Sequence, residues 1–456
     1  MEDKALQRTA LLVTSLSSLL TPMMASAVTV AMPAIAGEFA MSAVTLGWVA
    51  SAYLLAAAVF LLPFGRLADI VGRKKVFALG TAVFSAASLL AGLAPGARLF
   101  LAARMLQGMG GAMIFGTGVA ILTSVFPPQR RGWVLGINVA ATYSGLSLGP
   151  FLGGLLTQNL GWRSLFLVNV PVGLLLLAAV CLKLRQEWAD SRGESFDWKG
   201  SIVYSAMLTA LMLGFTWLPG RRGAAMLLAG VAAFPLFLRW ESRCVHPIFP
   251  ARLARGNTVF TFSNLAALVN YSATFAIAFL LSLYLQYIKG FTPQRAGLVL
   301  IAQPLVMALF SPLAGRLSDR REPRVVASLG MALCAAGLIA FSFLGPASGL
   351  AEVMATLVLV GLGFALFSSP NTNAVMGSVE RKQYGVASAT LATMRMVGQM
   401  LSMGIATLVF SLLIGRARIV PESYPLFLKS MRACFLVFFV LCCGGVFFSL
   451  ARGRVR

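Results

Sequence analysis

Fourteen stretches of this chain are long and apolar enough to cross a lipid bilayer, and that fact bounds every fold open to it. A helix needs about 20 apolar residues to span the hydrocarbon. Such runs lie at roughly 9–33, 46–64, 76–95, 99–126, 132–157, 164–184, 200–219, 223–239, 259–287, 296–314, 325–345, 351–377, 384–414 and 431–451. Apolar residues make up 59% of the 456 positions and charged residues only 11%, against about 25% in soluble domains. No soluble fold buries that much apolar surface, so the sequence reads as an all-α polytopic membrane protein. The first run exceeds the apolar core of a signal peptide, which marks it as a retained span.

The basic residues set the orientation. With the N-terminus inside, 25 of the 37 Lys and Arg fall in the N-terminus, the C-terminus and alternate loops, 10 fall on the opposite side, and Arg104 and Arg395 lie within spans. The positive-inside rule then places both termini in the cytoplasm, as an even number of spans requires. The formal charge of +23 is spread over these short clusters, so it predicts no nucleic-acid partner. One histidine, His246 in a loop, and six scattered cysteines provide neither a disulfide framework nor a metal site, and no cofactor is expected. An integral-membrane enzyme would need clustered His, Asp or Glu at the interface, and ATP drive would need a phosphate-binding glycine loop followed by Lys-Ser/Thr. Neither pattern is present.

The chain repeats itself. Residues 63–75 read PFGRLADIVGRKK and residues 312–324 read PLAGRLSDRREPR, each after a proline at the end of an apolar run. If 200–219 and 223–239 are an inserted pair, each copy falls between the second and third span of a six-span half. The expected organisation is an N-terminal six-helix bundle at 1–185, a linker with two inserted transmembrane helices at 186–257, and a C-terminal six-helix bundle at 258–456. Two pseudo-symmetric bundles around a central cavity form a transporter plan. Within the repeated loop, Gly65 and Gly72 allow turning and close helix approach. Asp69 is positioned to pair with Arg66 or Arg73, or to cap a neighbouring helix. With Gly315, Arg316 and Asp319 in the second copy, these residues are a candidate conformational latch, set against a purely topogenic basic loop.

The loop Gly65-Arg66-Leu67-Ala68-Asp69-Ile70-Val71-Gly72-Arg73-Lys74-Lys75 resembles the signature between the second and third helices of the major facilitator superfamily. Trp48 to Leu55 (WVASAYLL), Arg104 to Gly110 (RMLQGMG), Gly145 to Gly154 (GLSLGPFLGG), and Trp162-Arg163 with Asn169 to Gly173 are similar to its fourteen-helix drug:proton antiporter branch. Tyr284-Leu285-Gln286 and Ala296-Gly297-Leu298, running to Pro304, extend the resemblance through the second half. It implies a multidrug efflux-like secondary transporter, a monomer, working by alternating access in the inner membrane.

The polar residues within spans are the candidate cavity. Arg104 and Gln107 share one helical face, and an arginine at that depth costs about 2.5–3.5 kcal/mol on insertion scales. It is read either as a substrate or proton-pathway contact or as an interhelical hydrogen-bonding group. Ser26 and Thr29 belong to a polar stripe on the first span; Asn264, Asn270 and Tyr271 lie on the ninth. Gln303 stands beside Pro304, Asn371 and Asn373 follow Pro370, and Arg395 pairs in register with Gln399. Each is balanced between cavity lining and interhelical bonding. On the fifth span Asn138 begins a stripe continued by Gly145, Gly149 and Gly153. With Pro150 and Gly154 it makes a helix suited to close packing and a kink.

One departure shapes the functional reading. The branch carries an aspartate in the first helix, whose place here falls at about Met24, and none of the fourteen acids lies deep in a span. Export of amphipathic small molecules by alternating access, with protons as partner, is the leading expectation. Coupling then runs through a peripheral acid such as Asp69 or Glu38. The alternative is an anionic, zwitterionic or lipid-like substrate paired with Arg104 or Arg395 and no proton coupling. A non-transporting membrane receptor or scaffold is the rival from another class.

Overall fold

The computed structural model describes residues 2–184, 186–249, 251–380, 383–415 and 417–453, with the backbone alone at Asp319 and a few other positions. Eight long helices come first: α1 (Glu2–Glu38), α2 (Ala43–Val71), α3 (Arg73–Gly92), α4 (Ala97–Val125), α5 (Pro128–Leu160), α6 (Arg163–Lys183), α7 (Trp198–Trp217) and α8 (Arg221–Glu241). A short α9 (Ala251–Gly256) precedes a ninth span built from α10 (Thr258–Thr274), α11 (Ile277–Leu283) and a π turn (Tyr284–Ile288). The tenth span joins α12 (Pro293–Leu300) to α13 (Ala302–Arg320), and α14 (Pro323–Ser342), α15 (Leu350–Gly377), α16 (Tyr384–Leu413) and α17 (Tyr424–Ala451) complete the chain. Among the described residues, fourteen helical stretches are long and apolar enough to cross a membrane. An even count returns the chain to its starting side, called the near end below; the opposite side is the far end.

Local chemistry sets the helix boundaries. Ser42, Asp197, Asn257 and Thr292 accept backbone N–H bonds at the starts of α2, α7, α10 and α12, the usual role of short polar side chains there. Pro128, Pro293 and Pro323 occupy first turns, where a missing N–H is harmless. The ninth span departs from the single helix expected over 259–287. After Thr274 the Ala276 N–H donates to Ser402 Oγ of α16 at 3.0 Å rather than to its own helix, and the chain restarts as α11. The tenth span breaks at Ile301, ahead of Pro304, which has no N–H to extend the ladder.

Helices α1–α6 pack on one another, chiefly α1 on α5 and α4 on α2 and α3; α10–α17 do likewise, chiefly α15 on α13 and α14, and α10 on α16 and α17. The α7–α8 pair leans on α2 and α16 through α7, one from each group. The stripe on α5 faces α1. A Cβ on Gly149 would stand 2.6 Å from Ser26 Cβ, and one on Gly153 2.6 Å from Ala27 Cα. Gly145 abuts the Leu19 carbonyl in the same way. Small residues let two backbones approach where lipid provides no hydrophobic drive.

Candidate functional site

Arg104 projects into the interior of the first helix group and is 2% exposed. Its Nε donates to the Val49 carbonyl at 3.1 Å, one Nη donates to Gln107 Oε1, and Gln107 Nε2 donates to Ser88 Oγ at 2.8 Å. The guanidinium lies 4.7 Å from the Tyr53 ring centroid. This geometry ties α4 to α2 and α3, with the cation shielded by an aromatic face.

Arg395 is placed differently. It lies near the middle of α16, half-buried, beside α10 and α15 of its own group. One Nη donates to Thr372 Oγ1 at 2.9 Å, and the guanidinium stands 5.7 Å from the Tyr271 ring. Its Nε is buried without a partner. Among the described residues no carboxylate lies within salt-bridge distance of it. Tyr271 packs edge-on against Phe364, with centroids 5.1 Å apart. Close by, Tyr143 OH and Ser368 Oγ are 2.9 Å apart, joining α5 to α15 across the two groups. Arg395, Thr372, Tyr271, Tyr143 and Ser368 thus surround the mid-depth junction with one cation, hydroxyls and aromatic faces.

The other candidates divide between bonding roles and open ones. Ser26 Oγ donates to the Leu146 carbonyl at 3.2 Å, Thr29 Oγ1 to Ala25 O at 3.2 Å, and Asn138 Nδ2 to Ser18 Oγ at 2.9 Å. Asn371 Nδ2 donates to Ser263 O at 3.1 Å, and Asn373 Nδ2 to Ser318 Oγ at 2.7 Å. Asn264 bonds Phe260 O but leaves its Oδ1 unpaired, and Asn270 is fully buried with both amide atoms unpaired. Gln303 and Gln399 are half-buried. Arg452, absent from the sequence-based candidates, is fully buried beyond α17. It donates to Asn371 Oδ1 at 3.0 Å and to Ser263 Oγ at 3.3 Å. Burial brings its pKa down to about 10, so it stays cationic at neutral pH. Its only signal in the sequence is an arginine immediately after an apolar run, which any basic flank would match.

The two groups meet from mid-depth to the far end. Pro150 and Gly154 of α5 lie against α12: a Cβ on Gly297 would strike the Pro150 carbonyl, and one on Gly154 would stand 2.5 Å from Pro293 O. Gly154 therefore faces the opposite group, one helical step away from the Gly145–Gly149–Gly153 stripe. Gly47 meets Thr407, and Ala43 N donates to Ala417 O at 3.0 Å. Ser282 Oγ donates to Thr29 O at 2.8 Å, and Gln286 Nε2 to Val30 O at 2.9 Å.

At the near end the repeated loop is bound by the linker. Gly65 remains inside α2, where a Cβ would meet nothing within 4 Å, so neither turning nor close approach calls for a glycine at that position. Gly72, at φ 125°, makes the turn. Arg73 pairs with Asp69 at 2.7 Å and with Asp190 at 2.8 Å, and donates to Ser124 Oγ at 2.6 Å. Arg66 pairs with Glu194, which also lies 2.9 Å from His246 Nδ1. Glu187 accepts the Lys74 N–H at 2.8 Å, capping the start of α3. The expected Asp69–Arg73 pair is present, whereas Arg66 takes an acid from the linker. In the second copy Gly315 lies 3.0 Å from Ser369 Oγ, measured from a Cβ position, and Arg316 is exposed. The Asp319 side chain lies outside the described residues.

Comparison with known proteins accords with this architecture. A crystal structure of a bacterial homologue of the human lysosomal transporter Spinster, inward-facing and unoccupied, superposes with a TM-score of 0.72 at 16% identity, covering 98% of this chain and 97% of that one. The cephamycin export protein CmcT of Amycolatopsis lactamdurans is 34% identical over 82% of this chain and 79% of its own. The multidrug resistance protein Stp of Mycobacterium tuberculosis is 31% identical over 81% and 70%. The riboflavin transporter RibZ of Clostridioides difficile is 29% identical over 81% of both. The Major Facilitator Superfamily profile matches residues 14–264 and 263–455. A profile match over nearly the whole length and relatives more than 30% identical make this chain a member of the major facilitator superfamily, a membrane transporter and not an enzyme.

Proposed function

We propose that the protein exports amphipathic small molecules bearing an acidic group, with Arg395 as the anchor for that group. The carrying observation is a half-buried guanidinium at mid-depth with a free Nε and, among the described residues, no carboxylate beside it. A cation at that depth is costly unless it is paired, and a substrate anion provides the missing charge. Tyr271, Tyr143 and Ser368 present aromatic and hydroxyl surface for the rest of the molecule. Relatives named for cephamycin export and for multidrug resistance support the direction of transport.

In this reading residues 1–185 and 258–456 rock as two bodies, with 186–257 between them, within one monomer of a bacterial inner membrane. The near end is cytoplasmic, as its basic loops require, and the far-end seam makes this the state open to the cytoplasm. An exported anion moves down an interior-negative potential, gaining about 2.3 kcal/mol per charge per 100 mV. Export then needs no carboxylate at mid-depth. Glu38 is committed to Arg163 at 2.5 Å and to Trp162 at 2.7 Å, and Asp69 to Arg73.

The test uses proteoliposomes with an imposed potential and an internal pH dye. Acidic amphiphiles should move with the potential and without proton flux, and Arg395→Ala should abolish their movement while sparing neutral ones. Proton flux coupled to substrate would overturn the potential-driven scheme and restore antiport through a peripheral acid. Equal loss of acidic and neutral substrates would overturn the anchor.

A further inference from the structure

Proline at position 33 removes the N–H that would otherwise bond the carbonyl four residues earlier, that of Thr29. In lipid an unpaired carbonyl must find another donor. The structure provides one from the opposite helix group: Ser282 Oγ donates to Thr29 O at 2.8 Å. Gln286, one turn on, donates to the adjacent Val30 O at 2.9 Å and to Ser282 Oγ at 3.0 Å. Ser282 is the penultimate residue of α11 and Gln286 lies in the π turn Tyr284–Ile288. Single π turns recur at functional sites because they re-aim side chains. A second proline in α1's partner follows the same rule within one group: Pro150 frees the Leu146 carbonyl, and Ser26 Oγ of α1 takes it at 3.2 Å. The two cases differ in what they join. Ser26 ties α1 to a helix that moves with it, whereas Ser282 and Gln286 tie α1 to a helix that must leave it.

We infer that Ser282 and Gln286 are the far-end gate residues, holding the exit shut through the carbonyl that Pro33 leaves free. Because the bonds are from side chain to backbone, they carry no charge and break without exposing an ion pair to lipid. Opening the exit exchanges both donors for water, so their loss shifts the balance toward the outward-open state. This inference rests on alternating access alone and is indifferent to the substrate.

The test is a spin-label distance between Ala40→Cys and Ala347→Cys, exposed positions on far-end loops of the two groups, in a background with the accessible native cysteines replaced. Ser282→Ala should raise the long-distance population about threefold relative to the short one, as loss of one interhelical bond implies. Gln286→Leu should act alike, and Ser282→Thr, which keeps the hydroxyl, should restore the parent distribution. Pro33→Ala returns an internal donor to the Thr29 carbonyl, so Ser282→Ala should then shift the distribution much less. That coupling is one a merely structural serine would not show. Unchanged distances in both Ser282→Ala and Gln286→Leu, or equal effects of Ser282→Ala with and without Pro33, would overturn the inference. Either result leaves the Arg395 transport assay to stand or fall by itself.

Discussion

Arg73 reaches Asp190 at 2.8 Å while keeping Asp69, one turn behind it, at 2.7 Å. One guanidinium therefore holds both the loop between α2 and α3 and the acid-rich linker. Around it Glu187 caps α3, and two backbone bonds, Arg73 N to Trp188 O at 2.8 Å and Ser191 N to Asp69 O at 2.9 Å, lay the linker along the loop. Individual exposed pairs contribute little, about 0–1 kcal/mol each, so the docking is a cooperative set. Neutralising Glu187, Asp190 and Glu194 together should release the linker. Faster amide exchange at Lys74 and Ser191, and protease cutting within 186–196, would report the release; unchanged exchange would show that backbone bonds suffice.

Arg104 predicts a stability effect rather than a specificity effect. Arg104→Met removes the charge but leaves Val49 O and Gln107 without their donor, at about 1–3 kcal/mol for buried groups left unpaired. Thermal unfolding should fall accordingly, while the ratio of acidic to neutral substrate transport stays at the parent value. A selective loss of acidic substrates would instead move the anion anchor to Arg104.

Two glycines on one helix separate folding from gating. A side chain at Gly145 runs into the α1 backbone within the first group, so Gly145→Leu should lose folded protein. Gly154→Leu pushes against Pro293 and Gln294 across the seam, and should leave a folded protein whose far end labels readily with a membrane-impermeant maleimide. Gly136→Leu, at an exposed position with no neighbour within 4 Å, is the matched control.

Cys244 lies in the loop after α8 and its thiol pKa is raised, first by burial and then by hydrogen bonding to the Asp197 carboxylate. A raised value means less thiolate at pH 8 than in a free cysteine, whose pKa is about 8.5. Maleimide should therefore modify Cys244 slowly at pH 8 and catch up only in more alkaline buffer. Asp197→Asn retains an oxygen to cap the start of α7, where Gly200 N now donates at 2.8 Å. It removes the charge, so it should speed the reaction at pH 8; no acceleration would assign the shift to burial and the Glu241 carboxylate instead.

The spans were legible because each is an apolar run of the necessary length, and the repeat because Gly65 and Gly315 head the same string. The roles of polar residues were less so. Arg104 and Arg395 each share a helical face with a glutamine, and only the rotation of α4 and α16 against their neighbours decides that the first points into its own bundle and the second toward the junction. Pro33 leaves the Thr29 carbonyl in need of a donor. Its partner, Ser282, is one hydroxyl within an apolar run, and the break at Ala276 that helps to aim it depends on Ser402, far along the chain. Nothing local to Glu194 tells that the linker folds back beneath Arg66.

The α7–α8 pair gives the molecule a handed perimeter. Tyr204 OH donates to Ala58 O of α2 at 2.9 Å, and Ser411 Oγ of α16 donates to Leu218 O, just after α7, at 2.8 Å. Bound to one helix of each group, α7 must slide or yield wherever α2 and α16 change their separation.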